Sequence, residues 1–369
     1  MTEEVKWIPF DVVEKFMIDV LAVCGVPQTD AEICADVLIT ADKYGIDSHG
    51  SNRLKPIYYD RIKEGILNPV THFEVVRDGL ATAVIDGHNG MGHVIAKKAM
   101  QMAIDKASTF GMGMVAVRNS THYGIAGYYA LMAAKNNMIG ITGTNARPSI
   151  APTFGVENML GTNPLTFGMP SDEDFPFLLD CATSITQRGK IELYARQGKA
   201  CPEGWVIDEN GNATTDATRI LDDLNKGKAA LSPLGGIGED LGGYKGYGYA
   251  TVVEILSAAL QNGAFLKMLL GIENGKKVPY PLGHFFIAID VKAFVDVDDF
   301  KKTTGDILRT LRNSKKMPGQ KRIYTAGEKE YETWMYRKNK GVPFNKQLLN
   351  EFYNLAVETQ LTQYGKYFK

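Results

Sequence analysis

Cysteine is scarce in this 369-residue chain: Cys24, Cys34, Cys181 and Cys201 form no CxxC pair. Their spacing offers neither a disulfide scaffold nor a thiolate metal cluster, and it implies a reducing compartment in which the four thiols are small buried hydrophobes. No apolar run approaches the ~18 residues of a membrane helix, and residues 1–6 lack the apolar stretch of a signal peptide. Charge of one sign is missing too. Lys and Arg number 41 against 42 Asp and Glu, a net charge of −1, which gives nucleic acid or an anionic membrane surface little to hold. A cytoplasmic protein with a small-molecule partner is the expectation. Hydrophobic content of 44% and charged content of 22% are ordinary for a globular chain, and the length allows two domains or one large lobed unit.

A dinucleotide fingerprint is also lacking. The nearest match to G-x-G-x-x-G, Gly111-Met112-Gly113-Met114-Val115-Ala116, precedes a strand instead of following one and opening a helix. Gly111 reads as a helix stop and Gly113 as a strand start. Any nicotinamide site is therefore built differently.

The patterning that is present reads as helical ends around an α/β middle. Pro9-Phe10-Asp11 opens a helix to Cys24, Thr29-Asp30-Ala31-Glu32 is a capping box for a second helix ending at Gly45, and a third runs through Tyr58 to Lys63 with Pro56 as a kink. From Phe73 the period becomes that of strands: 73–77 and 82–86 pair around Asp78-Gly79, then come a helix to Phe110, a strand at 114–118 and a helix at 126–135. Further strands are predicted at 139–142, 165–167, 177–180 and 285–289, and helices at 304–313, 328–339 and 346–359. Residues 198–224 read as a polar surface excursion. The expected organisation is a non-Rossmann central α/β cofactor-binding domain, residues 73–300, flanked by a discontinuous helical domain, residues 1–72 plus 301–369.

Two histidines stand where hydride-transfer chemistry could use them. His49 lies in Asp47-Ser48-His49-Gly50 with Arg53 four residues on; in a helix that spacing puts a titratable imidazole beside a fork-shaped carboxylate receptor. Oxidising a 2-hydroxy acid needs both, one to take the hydroxyl proton and one to hold the carboxylate. His122 directly follows the strand at 114–118 and precedes a helix, a favoured position for chemistry in α/β folds. Lys245-Gly246 opens a helix and offers a cation and free N–H groups to a pyrophosphate. Arg147, just past a strand, either receives a second anionic group or is a surface residue. His72, His88, His93 and His284 read as structural, the glycines between His88 and His93 being explained by a turn entering a helix.

Taken in order, Ser48-His49-Gly50, Ser120-Thr121-His122-Tyr123-Gly124, Gly161-Thr162-Asn163-Pro164, Asp180-Cys181-Ala182-Thr183-Ser184 and Gly243-Tyr244-Lys245-Gly246 resemble the non-Rossmann malate/L-lactate dehydrogenase family, from about residue 8 to about residue 330. Relatives in that family include sulfolactate and ureidoglycolate dehydrogenases and cyclic-imine reductases. The resemblance implies His49 or His122 as proton carrier, with Ser48 and Asp180 in support, and Arg53 on the substrate carboxylate. It implies cofactor contacts at Ser120, Thr121, Asp180, Ala182, Thr183, Ser184, Arg188, Lys245, Gly246, Gly327 and Glu328, although the family often has Pro where Ala326 stands. It also implies a homodimer, and no metal. NAD is the expected cofactor, with NADP possible through Arg188, Lys190 or Arg196. Arg147 favours malate/oxaloacetate over lactate, since an unpaired buried cation is costly; sulfolactate, lactate, ureidoglycolate and cyclic imines are the alternatives. A rival from another class, a metal-dependent hydrolase or aldolase, would use His49, His88, His93 and His122 as ligands.

Overall fold

A computed structural model describes residues 5–369; the acidic start at 1–4, part of the targeting argument above, lies outside the described residues. At its centre is a seven-stranded sheet in the order Glu74–Asp78, Thr82–Asp86, Met112–Ser120, Leu282–Asp290, Met138–Thr144, Leu165–Met169, Phe177–Cys181. Thr82–Asp86 and Met112–Ser120 run parallel, and the other neighbours are antiparallel. Leu282–Asp290, distant in sequence, enters the middle and sets Ile287 between Met114 and Ile141. Its near-continuous apolar run suits a strand covered on both faces, and Phe285 and Phe286 are both fully buried.

Helices Gly92–Phe110 and Gly127–Lys135 cover one face through small side chains. Ala96, Ala99, Ala103, Ala126 and Ala133 share a core with Ile85, Val115, Val117 and Phe286. Glycines in the strands make this approach possible: a Cβ on Gly140 or Gly168 would lie 2.6 or 2.7 Å from the Ala130 carbonyl. Helix Gly243–Ala258 packs against the same central strands, so tightly that a Cβ on Gly283 would fall 1.6 Å from Ser257 O.

The two chain ends share a second core. Lys6–Ile8 pairs antiparallel with Val342–Phe344, and Phe16 from helix Phe10–Val23 packs on Phe352 and Phe368 at centroid distances of 5.3 and 5.0 Å. Helix Val297–Arg312 contributes nothing to this cluster; Arg309 and Arg312 tie it to Glu173, and Arg309 also to Asp172, near the end of the sheet.

Several sequence expectations need correction. The second helix, Gln28–Lys43, starts from Pro27 with no side-chain cap, so Thr29 and Glu32 lie inside it instead of forming a capping box. Two 3₁₀ turns, Asp47–His49 and Ser51–Arg53, replace the single helix that would stack His49 on Arg53. Pro56 does not kink an α-helix: Leu54–Tyr59 is a π-helical stretch, whose wide turn accommodates a residue without an N–H. Residues 198–224 are more than a surface excursion. Strand Val206–Asp208 pairs with Ala229–Leu231, Asp216 caps helix Ala217–Lys226, and Cys201, Val206, Ile220 and Leu231 form a small core with Ile191. The apolar spacing of Ala217, Ile220, Leu221 and Leu224 was the helical signal, diluted by the polar residues between. Finally, Cys24 and Cys181 are only half-buried, while Cys34 and Cys201 are buried.

Candidate active site

The His49 loop is shaped by its underside. Helix Gln28–Lys43 ends at Tyr44, Gly45 turns the chain at φ 76°, and the buried Asp42 carboxylate accepts a hydrogen bond from Ser51 N at 3.0 Å. A Cβ on Gly50 would lie 1.9 Å from Asp42 Oδ1, so this glycine lets the loop close over the carboxylate. Arg337 donates to Asp42 O at 2.7 Å and to both Asp47 carboxylate oxygens at 2.5 and 2.8 Å, pinning the loop to the C-terminal segment. On the upper side Ser48 Oγ lies 2.9 Å from His49 Nδ1, and Arg53 Nε donates to Ser48 O at 2.5 Å.

His122 meets this loop from the sheet. Its ring lies nearly parallel to that of His49, 19° between planes and 5.8 Å between centroids. Tyr58 Oη is 2.6 Å from His122 Nδ1, and Gly124 N–H approaches the same nitrogen at 3.3 Å. Burial, followed by the Arg53 charge, lowers the His49 pKa to about 4. Burial also holds His122 well below the usual imidazole range, with His49, His93, Arg53 and Arg61 adding repulsion. At neutral pH both rings are uncharged, the state of a proton acceptor.

Ser48, His49, Arg53, Asp180, Ala182 and Arg188 line one cleft of about 910 Å³, together with Gly124, Thr186, Lys190, Trp205 and others. Asp180 accepts from Gly127 N at 2.7 Å and Thr166 Oγ1 at 3.0 Å, and neither bond goes to His49; burial raises its pKa. Helix Arg188–Arg196 opens at the cleft, so its first N–H groups and the Arg188 and Lys190 cations face the same space. Ser184 Oγ, nearby in sequence, is buried without a partner. Small residues, free helix-start donors and two cations fit a dinucleotide pyrophosphate.

Other sequence candidates sit elsewhere. Lys245 is exposed at the start of helix Gly243–Ala258 and does not line the cleft, and Gly246 is explained by packing, its Cβ position being 2.2 Å from Leu234 O. Ser120, Thr121, Thr183 and Ser184 are buried; Thr121 Oγ1 donates to Gly90 O, and Thr183 Oγ1 donates to Asn163 O. Gly327, at φ 91°, precedes helix Glu328–Arg337, and Glu328 is ion-paired with Arg322. Arg147 is exposed, 5.9 Å from the centre of the Tyr280 ring. Arg61 stacks on the same ring at 4.7 Å, and with Tyr280 and His122 it lines a small cavity next to Tyr58.

The sequence reading missed Tyr58, Arg61, Asp42 and Arg337, and it treated His93 as structural. Tyr58 joins His93 and His122 across 35 and 64 residues, so no local motif marks it. Among the described residues, no three His, Cys, Asp or Glu side chains are grouped to hold a metal ion. His88 is instead bonded to Glu74 at 2.6 Å and His93 to Tyr58 at 2.9 Å.

An α/β sheet without a Rossmann turn, with His49 and Arg53 lining its cleft and the His122 ring stacked on His49 from the small neighbouring cavity, defines a class of dehydrogenase that the comparisons make specific. Residues 8–352 match the family described as malate/L-lactate dehydrogenase, and the chain belongs to that family. It is 44% identical to malate dehydrogenase of Pyrococcus horikoshii, covering 95% of this chain and 94% of that one. It is 39% identical to L-sulfolactate dehydrogenase of Methanocaldococcus jannaschii, covering 94% and 96%. Malate dehydrogenase of Entamoeba histolytica superposes with a TM-score of 0.93 at 47% identity, over 97% of this chain and 99% of that one.

Proposed function

We propose that this protein is a nicotinamide-dependent dehydrogenase interconverting malate and oxaloacetate. The observation that carries the reading is the pair of uncharged imidazoles, His49 lining the cleft beside Arg53 and His122 stacked on it at 5.8 Å. A nicotinamide ring supplies the hydride acceptor. The chain's own residues do the rest: Arg53 holds the C1 carboxylate, one imidazole takes the hydroxyl proton, and Arg188, Lys190 and the start of helix Arg188–Arg196 neutralise the pyrophosphate. Ser48 orients His49 through Nδ1.

Arg147 and Arg61, both against Tyr280 and with no hydrogen-bonded carboxylate among the described residues, support a substrate with a second anionic group. A sulfonate satisfies the same cations, and the sulfolactate dehydrogenase relative keeps that second substrate in view. NAD is preferred to NADP, because in this reading Arg188 and Lys190, the cations at the start of helix Arg188–Arg196, are taken up by the pyrophosphate and neither is left for a 2′-phosphate. We further propose a homodimer, supported by the apolar outer face of helix Gly243–Ala258, where Tyr249, Val252 and Ile255 are exposed. The four free thiols suit the reducing cytoplasm, and the shared core of the chain ends supports a helical domain built from 1–72 and the segment from Val342 onward, with helix Val297–Arg312 outside that core.

The test is the change in NADH and NADPH absorbance with oxaloacetate, sulfopyruvate, pyruvate and a cyclic imino acid. Oxaloacetate is expected to give the highest kcat/KM. A higher value for pyruvate would remove the second-anion argument, and no turnover with any of them would remove the dehydrogenase reading.

A further inference from the structure

Helix Gly243–Ala258 turns its single carboxylate inward. Glu254 is buried and accepts from Asn163 Nδ2 at 2.8 Å and Leu266 N at 2.9 Å. Past Lys245 the outward side of the helix therefore carries no charge. Tyr249, Val252 and Ile255 stand exposed along it, and Leu260, Phe265 and Met268 continue the apolar surface beyond its end. Between Ile255 and Phe265 this surface opens into a cavity of about 450 Å³, walled also by Pro152, Met159, Ala259 and Leu266. It shares no lining residue with the cleft of His49 and Arg53.

The loop that supplies Pro152 and Met159 to the cavity wall carries Phe154 between them. Gly155 N–H donates to Pro152 O at 2.8 Å, closing a turn with Phe154 at its third position, where the backbone is left-handed at φ 67°. That position of a turn calls for Gly or Asn, and a bulky residue there is strained. The ring is not repaid by burial within its own chain, since Phe154 is 81% exposed. An ion pair between Glu157 and Lys267 ties the loop to the segment bearing Phe265 and Met268. Protruding ring and cavity thus lie side by side on one face.

We propose that this face is the contact between two copies of the chain, with Phe154 of each copy seated in the cavity of the other. This rests on the homodimer reading above and gives that dimer its interface. A ring beside a hole suits a two-fold axis, because one rotation fills both holes and leaves neither open to a third copy. Phe154 and the six exposed apolar residues named above, at roughly 100 Å² each, offer about 700 Å² per copy. The largest apolar patch of a typical monomer is about 300–600 Å², whereas one partner brings about 800 Å² to a standard interface.

Sedimentation of the wild-type chain at micromolar concentration is expected to give the mass of two copies. Phe154→Gly removes the ring and suits the left-handed backbone, so circular dichroism should be unchanged while the dimer Kd rises about 30-fold or more, the weight of a buried aromatic anchor. Ala259→Trp, which fills the cavity and leaves Phe154 in place, is expected to weaken the dimer to a similar degree. An equimolar mixture of the two variants restores one intact contact, the Phe154 ring of one in the open cavity of the other, and should associate more tightly than either variant alone. A dimer that survives both substitutions, or a mixture no tighter than its components, overturns the proposal and leaves the homodimer reading standing. A monomeric wild type overturns both, and uptake of an apolar dye by that monomer, lost in Ala259→Trp, would make the cavity a small-ligand site instead.

Discussion

The His49 and His122 rings lie 5.8 Å apart, yet opposite kinds of structure hold them. His49 sits on a short loop supported by charged groups: the Asp42 carboxylate beneath, and Arg337 clamping Asp47 from the C-terminal segment. His122 sits at a sheet edge and is held by neutral donors and acceptors, Tyr58, His93 and Gly124 N–H. A loop held by one ion pair and a buried carboxyl responds to pH and to single charge changes, whereas a ring held in a buried neutral network responds to loss of one hydroxyl. The same burial that makes both rings uncharged bases thus leaves them with different weak points.

The most severe way to break the comparison is to remove each ring. Alanine at the proton carrier is expected to lower kcat about 10²- to 10⁴-fold while NADH affinity, followed by fluorescence titration, is retained. Alanine at the other histidine should cost clearly less, and equal losses from His49→Ala and His122→Ala would mean that the rings act as one unit.

Next in size are the cations. Arg147→Ala is expected to cost roughly 1.5–3 kcal/mol in kcat/KM for oxaloacetate, the range for a hydrogen bond to a charged group, and little for pyruvate. Arg53→Lys should raise KM for both substrates, since an ammonium cannot reproduce the bidentate fork; an unchanged KM would place the C1 carboxylate elsewhere.

Charge beneath the His49 loop should appear as pH-dependent stability. Burial raises the Asp42 pKa to about 7, against 3.8 for the free group. A carboxyl with a raised pKa binds its proton more tightly folded than unfolded, so its effect on stability is lost progressively as pH rises from about 4 to about 7. Asp42→Asn, which keeps an acceptor for Ser51 N–H, should therefore raise the Tm at pH 8, by a few kcal/mol of stability at most. The difference should shrink towards pH 5, and a constant difference would show that Asp42 does not titrate there.

The smallest effect is in the profile of the intact enzyme. With the His49 pKa lowered to about 4 and His122 lower than usual as well, kcat/KM for malate oxidation should stay level through pH 6.5 and fall only in more acidic buffer. A limb near 6.5 would indicate a carrier titrating like a free imidazole.

The difference between the two regions is also a difference in what sequence can reveal. Ser48, His49 and Arg53 fall within six residues, and the Asp42 support is nine residues from Ser51, so chain-local spacing was enough to bring that side of the cleft into view even though its helical premise was wrong. The strands at 82–86, 112–120, 138–144 and 282–290 were legible from their period, as were most helices. The His122 network was not. Its members are close because a parallel crossover returns the chain to one edge and a π turn aims Tyr58 at that edge.

Sequence by itself determined the local periods, the absence of a Rossmann turn, and the ordered motifs that mark the family, because these depend on side-chain type at short range. Tertiary structure alone decided that Leu282–Asp290 enters the middle of the sheet and that helix Arg188–Arg196, not the start of helix Gly243–Ala258, opens on the cleft. It also decided that Arg337 reaches Asp47 and that one hydroxyl links His93 to His122. Those outcomes come from packing and burial summed over segments far apart in the chain, for which no short stretch of residues carries a signal.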